Sequence, residues 1–241
     1  MLNQFFVEHL PRSGQVVIDG DDGHHAVKVL RTTIGERIRI CDGVSAYAEA
    51  EVISVGKSEL TCEIKSFGEV PPARTRLTVV QALPKNDRAK ETLELLTEGG
   101  ASQIIPWQAD RSIAQWQSDS GAKWKLAVRE ASKQSRRVVI PQVSDRATSH
   151  DVMAAISNAD HILVFHESTT QSLSEVVMSF SPDSISHIAL IIGPEGGITE
   201  SELTEFCSRG AIAVRMGEPI FRAAHAGVAA LAAVQTGLRL W

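Results

Sequence analysis

With 241 residues, 43% of them hydrophobic, the chain can bury a substantial core, which excludes disorder as its default state. Its three cysteines, Cys41, Cys62 and Cys207, are odd in number, far apart and without metal-ligand spacing; this excludes a disulfide framework and a structural zinc site and fits a reducing cytoplasm. A formal net charge of −5 excludes global steering toward phosphate, so any nucleic-acid binding must rest on local basic patches.

From Phe5 to about Phe67 short alternating or apolar runs, "QVVID", "ERIRIC", "AYAEAEVISV" and "ELTCEIKSF", are separated by "DGDDG", "CDG" and "VGKSE" turns. Closely spaced strands with Gly/Asp turns predict a small β-barrel or sandwich. One helical interruption, "HHAVKVLR" (His24 to Arg31), sets His24, His25, Lys28 and Arg31 at helical spacing, a polar face suited to a partner. The two adjacent histidines point in different directions and make no metal site. Pro71-Pro72 cannot continue a sheet ladder, so the domain boundary falls there, giving spans 1–72 and 73–241.

The rhythm then changes to alternating strands and helices. "RLTVVQAL" precedes a helix over Asp87 to Thr97, and "SQIIPW" precedes one over Ala122 to Ser135. "HILVF" and "HIALII" follow, then a helix over Glu200 to Ser208, "AIAVRM", and an Ala-rich helix from about Phe221. Such alternation predicts an α/β domain with a mainly parallel sheet covered on both faces and a ligand at the carboxyl ends of its strands. Arg222, His225 and Gln235 break the C-terminal apolar stretch, and no signal core is present, so a soluble cytoplasmic protein without membrane contact is expected.

The strand "HIALII" ends abruptly in Gly193-Pro194-Glu195-Gly196-Gly197, and Thr199 with Glu202 three residues on forms a capping-box pattern that restarts a helix. Paired glycines tolerate positive φ and let a ligand touch the backbone, while Pro194 removes one donor. A tight turn without a ligand is the plain alternative. A phosphate cradle fits poorly, because neither a P-loop nor a dinucleotide fingerprint is present and Glu195 would repel an anion. The loop suits a ligand that is neutral or cationic where it meets the carboxylate.

"IIGPEGGITESEL", with "VVQALPKNDRAKETLELLTEGGASQIIPWQADRS", "WKLAVREASKQSRR" and "MGEPIFRAAHAGVAALAAVQ", resembles the RsmE family of 16S ribosomal RNA uridine N3-methyltransferases, within the SPOUT superfamily. "GHHAVKVLR" and the following "CDG" are similar to that family's N-terminal PUA-like barrel. The resemblance implies a trefoil-knotted C-terminal domain, S-adenosylmethionine (AdoMet) as cofactor, and a homodimer acting on 16S rRNA or the small ribosomal subunit. It places the cofactor among three loops: Phe165, His166 and Glu167; Gly193, Pro194, Glu195, Gly196 and Gly197; and Met216, Gly217, Ile220 and Phe221. No metal is called for.

By the same resemblance Arg222 stands beside the methyl-transfer site, where a guanidinium can stabilise charge developing on uracil O2 and O4; an arginine paired to a neighbouring carboxylate is the alternative. Many relatives carry a polar residue and a Thr where this chain has Ala224 and His225, which removes a carboxylate base at 224 and leaves His225 as a candidate proton acceptor or a packed residue. The expected RNA contacts are His25, Lys28 and Arg31 in the small domain and Lys85, Arg88, Arg111 and Arg137 in the large one; a solvated helix face is the alternative for such clusters. Trp107, Trp116 and Trp124 are assigned to packing before base stacking. A SPOUT enzyme acting on another RNA nucleotide, and a noncatalytic RNA-binding relative, are the competing functions. A nucleotide-dependent oxidoreductase is disfavoured by the missing fingerprints.

Overall fold

In the computed structural model, which describes residues 2–85 and 88–241, the first strands are β1 (Asn3–Phe6), β2 (Gln15–Ile18), β3 (Arg37–Cys41), β4 (Ala46–Val55) and β5 (Leu60–Glu69). They form one sheet in the order β1-β3-β4-β5-β2, antiparallel except for the β1–β3 pair. Alternation decides the faces: on β4, Ala48, Ala50 and Val52 point inward while Glu49 and Glu51 point out. Register shifts between Glu49/Ala50 and Val52/Ser54 bend the long β4–β5 ribbon. Phe5, Ile18, Ile38, Val52 and Leu60, one from each strand, meet in a single core, as a small barrel requires.

The helical interruption starts earlier than "HHAVKVLR" indicates. Helix α1 spans Gly20–His24 and runs directly into a π-helical turn over His25–Val29. The turn-like composition "DGDD" conceals this start, because Asp22 is not a solvated turn residue. It is buried, accepts a bond from the Phe6 amide at 3.0 Å and pairs with Lys133.

Lys133 reaches Asp22 because the chain divides into two compact units that are not contiguous in sequence. One comprises Met1–Pro72 with Ser132–Ile140, the other Ala73–Ala131 with Pro141–Trp241. The segment 132–140 falls inside the span 73–241 by sequence order, yet it packs with the small unit. Val138 joins Phe6 and Cys41 in a second apolar cluster, Gln4 donates to the Arg137 carbonyl at 2.7 Å, and the Ile140 amide donates to the Gly43 carbonyl at 2.9 Å.

The large unit is built on β6 (Arg76–Ala82), β7 (Gln103–Gln108), β8 (Gln142–Val143), β9 (Ala147–Thr148), β10 (His161–Phe165), β11 (His187–Ile192) and β12 (Ile212–Val214). Every pairing among them is parallel, in the order β12-β10-β11-β6-β7-β8, with β9 on β7. All six residues of β11 are buried, as a central parallel strand covered on both faces demands. The helices are α2 (Ala89–Glu98), α3 (Ser120–Gln134), α4 (Ser149–Ala155), α5 (Leu173–Met178), α6 (Glu200–Ser208) and α7 (Ala223–Gly237). Asp87, expected at the start of α2, lies outside the described residues. On one face Val152 and Met153 of α4 and Phe206 of α6 pack with Val80, Ile105 and Trp107. α7 lies against β6 and β11 and against α2, where Gly227 admits Leu96 so closely that an added Cβ would stand 2.5 Å from it. Gly227 and Ala230 are both buried within the chain.

Candidate active site

The buried strand β11 ends at Ile192, and from Gly193 the chain must leave the core, turn and start α6 within a few residues. Both ends of the turn are fixed. An added Cβ on Gly193 would stand 2.6 Å from Cγ1 of the buried Ile198, so only glycine lets the strand close on its own exit. At the far end the capping box forms as its spacing indicates: Thr199 Oγ1 accepts from the Glu202 amide at 3.2 Å, and the Glu202 carboxylate accepts from the Thr199 amide at 2.9 Å. Between them the Gly197 amide donates to the Pro194 carbonyl at 2.9 Å, with Gly197 at φ +76°. Of the paired glycines, Gly197 alone occupies the left-handed region. Gly196 is needed for space, since an added Cβ would stand 3.0 Å from Arg111 Cβ.

The turn forms one wall of a pocket of about 440 Å³, within the size range of small-molecule and cofactor sites. Three loops at the carboxyl ends of the adjacent strands β10, β11 and β12 enclose it. Phe165, His166 and Glu167 contribute from the first, Gly193 through Gly197 from the second, and Met216, Gly217, Ile220 and Phe221 from the third, with Arg222 beside them. The residues singled out on these three loops therefore converge. Backbone bonds continue the β10–β12 ladder into the loops: the His166 amide donates to the Val214 carbonyl at 3.1 Å, and the Arg215 amide to the Gln171 carbonyl at 2.9 Å. His166 Nδ1 accepts from the Ser168 amide at 3.2 Å, so the neutral ring carries its proton on Nε2.

Ile198, Val214 and Ala226, which sequence reasoning missed, supply the buried apolar floor. Ala226 had a legible signal, for it stands one helical turn after Arg222 and shares its face. Arg222 is the N-cap of α7, its backbone extended and its side chain exposed, and among the described residues it has no salt-bridge partner. Ala224 is buried. His225 is absent from the pocket lining; its Nε2 lies 3.3 Å from Glu91 Oε1 on α2, within hydrogen-bond distance.

The remaining cations separate into distinct settings. His25, Lys28 and Arg31 are exposed on and after the π-turn, with Arg31 at φ 55°. Lys85 is exposed after β6 and Arg88 is half-buried at the start of α2. Arg111, after β7, donates from Nη1 to the Gly196 carbonyl at 3.2 Å. Arg137 is half-buried, and desolvation lowers its guanidinium pKa to about 10. That setting is the one least suited to an RNA phosphate. Trp107 packs edge-on to Phe206 and Trp116 edge-on to Trp124, both at 5.4 Å between ring centroids. Among the described residues no group of His, Cys, Asp and Glu side chains could hold a metal, and no helix is long and apolar enough to cross a membrane. Burial raises the Cys41 and Cys62 thiols to about 12 and about 11, far from thiolate chemistry.

One carboxylate escapes the sequence reading beyond its capping role. Glu202 is only 2% exposed, and Oε1 accepts from the Asp110 amide at 2.9 Å and from Ser149 Oγ at 2.6 Å. Burial alone would raise its pKa; the hydrogen bonds from Ser149, Asp110 and Thr199 together outweigh it and hold the group below its ordinary value.

Comparison with known proteins agrees with this geometry. Residues 71–235 match a family model described as an RNA methyltransferase domain, and residues 18–65 match one described as an RNA methyltransferase PUA domain. Ribosomal RNA small subunit methyltransferase E of Mycobacterium bovis is 37% identical over 246 aligned positions, covering 98% of this chain and 92% of that relative. The protein of the same name from Bacillus subtilis is 26% identical, covering 97% and 96%. The crystal structure of Ribosomal RNA small subunit methyltransferase E from Neisseria gonorrhoeae bound to S-adenosyl methionine superposes with a TM-score of 0.88 at 26% identity, covering 100% of this chain and 98% of that one. With both domains matched in order and a relative this similar along nearly its whole length, the chain belongs to the RNA methyltransferase family of the ribosomal RNA small subunit methyltransferases E.

Proposed function

We propose that this RNA methyltransferase moves a methyl group from AdoMet to N3 of a uridine in 16S rRNA of the small ribosomal subunit, acting in the cytoplasm as a homodimer. The observation that carries this reading is the pocket itself. Its walls are backbone-rich loops at the ends of three parallel strands, with Glu167 and Glu195 as the anionic groups and Arg215 and Arg222 as the cationic ones. A trefoil-knotted path belongs to the same reading, supported by the position of β10 between β11 and β12.

The residues present suit AdoMet. The lining offers amides and carbonyls for polar contacts, carboxylates complementary to a cation, and an apolar floor of Ile198, Val214 and Ala226. When bound, AdoMet supplies an electrophilic methyl on a sulfonium. Uridine N3 carries a proton that must pass to solvent as N3 takes the methyl, and until transfer is complete negative charge accumulates on O2 and O4. Arg222, exposed and without a salt-bridge partner among the described residues, donates to those oxygens as the charge develops. The three loops hold the donor and the base in line, which converts an encounter into a near-unimolecular step. His25, Lys28 and Arg31 on the PUA-like unit, with Lys85 and Arg88 on the larger one, contact the RNA backbone.

Mass-spectrometric mapping of 16S rRNA nucleosides with and without this protein tests the reaction. One N3-methyluridine is expected to disappear in its absence and to return when the purified enzyme and AdoMet are added to small subunits. An unchanged nucleoside map overturns the assignment. The dimer rests on Ile220 and Phe221, which are 78% and 46% exposed beside the pocket and apolar. Sedimentation is expected to show a dimer at micromolar concentration, and a fully active monomer would end that part of the reading.

A further inference from the structure

A capping box needs its carboxylate only to reach back to the N-cap, and such residues are ordinarily solvated. Glu202 does more. Oε2 accepts from the Thr199 amide and hydroxyl, both at 2.9 Å, so it holds the exit of the turn 193–198. Oε1 accepts from the Asp110 amide and from Ser149 Oγ, and Ser149 Oγ in turn accepts from the Trp107 indole at 3.1 Å. A single buried carboxylate thus joins the start of α6, the loop after β7 and the start of α4. The residue after Asp110 is Arg111, and its guanidinium donates to the Gly196 carbonyl at the tip of the turn. Tip and exit of the turn are therefore both traced to the same two oxygens.

We propose that Glu202 is a positioning residue that locks the turn 193–198 and the Arg111 loop into one geometry, so that the two move together or not at all. The inference rests on the proposed AdoMet site for its functional consequence, though not for the structural lock. The physical case is satisfaction. Both oxygens carry two donors each, and a buried network of this kind is stabilising when complete and costly when one donor loses its acceptor. Glu202→Gln keeps the volume but replaces one acceptor with an NH2 group, which then faces donors at Thr199 or at Asp110 and Ser149. Either way one side of the lock opens.

The test combines Glu202→Gln, Arg111→Ala and the double variant, with Val52→Ala in the barrel core as a stability control. Amide hydrogen exchange in the protein without added ligand is expected to rise about tenfold at Asp110, Gly197 and Thr199 in Glu202→Gln, with the amides of β6 and β11 unchanged. Calorimetric AdoMet affinity is expected to fall about tenfold in Glu202→Gln, and the double variant to be no weaker than the weaker single one. Val52→Ala is expected to lower the melting temperature and leave AdoMet affinity alone. Additive losses in the double variant, or exchange that is unchanged or rises evenly through the unit, would overturn the lock. Should the wild-type protein not bind AdoMet while local exchange still rises at Asp110, Gly197 and Thr199, the cofactor reading fails and the lock stands.

Discussion

Arg222→Lys is expected to lower the single-turnover rate of uridine methylation on small ribosomal subunits by about a hundredfold or more, with AdoMet affinity nearly unchanged. The proposed partner of the guanidinium is charge that develops on the uracil oxygens and is absent from the bound cofactor. Lysine keeps the positive charge and loses the planar fork, so the loss would report geometry and not net electrostatics. His225→Ala belongs in the same series. Because His225 Nε2 faces Glu91 and not the pocket, its rate and pH profile are expected to match the parent within about threefold, the size of a surface substitution away from the site. Calorimetry and single-turnover kinetics run in parallel separate the roles. If Arg222→Lys lost cofactor affinity and kept its rate, the arginine would be a pocket wall.

Gly197→Val is expected to weaken AdoMet binding between tenfold and a hundredfold while circular dichroism stays that of the parent. A β-branched residue held at the φ of +76° found here costs about 1–3 kcal/mol, and the turn relieves that strain by leaving its observed shape. Gly196→Ala provides the contrast, because it meets Arg111 by crowding at 3.0 Å and carries no left-handed strain. Its expected loss is smaller and persists when combined with Arg111→Ala, because the crowded atoms are Arg111 Cβ and the Arg111 carbonyl oxygen, both of which alanine keeps. Equal affinity in Gly197→Val and the parent would show that the turn does not touch the cofactor.

Local signals in the sequence transferred well to the structure where one element decides the outcome. The Thr199–Glu202 spacing announced a helix start, and α6 begins at Glu200 with both capping bonds in place. Unbroken apolar "HIALII" announced a central strand, and β11 is buried along its whole length. The three loops converge on one pocket because parallel strands must deliver their carboxyl ends to the same edge. Short elements were hidden: α4 and α5 are only 7 and 6 residues long and carry too little periodicity to stand out. Long-range partners were hidden for a different reason. Glu202 with Asp110, His225 with Glu91 and Lys133 with Asp22 each join residues about a hundred positions apart, and no local pattern encodes such a pair. Both paired glycines tolerate positive φ, yet only Gly197 adopts it; at Gly196 the missing side chain leaves room for Arg111.

The segment 132–140 has a consequence for how the protein is made. The strands of the small unit all precede those of the large one in the chain, yet its sheet is not the whole of it: Val138 closes the cluster around Phe6 and Cys41, and Lys133 pairs with the buried Asp22. A nascent chain that has emerged only as far as Pro72 therefore lacks Val138, which joins the Phe6–Cys41 cluster, and Lys133, which pairs with Asp22. Synthesis must proceed through β6, α2, β7 and α3 before the first-made unit acquires its last residues. The order of translation and the order of completion therefore diverge: the small unit has all its residues only after residues 73–131 of the large unit have been made.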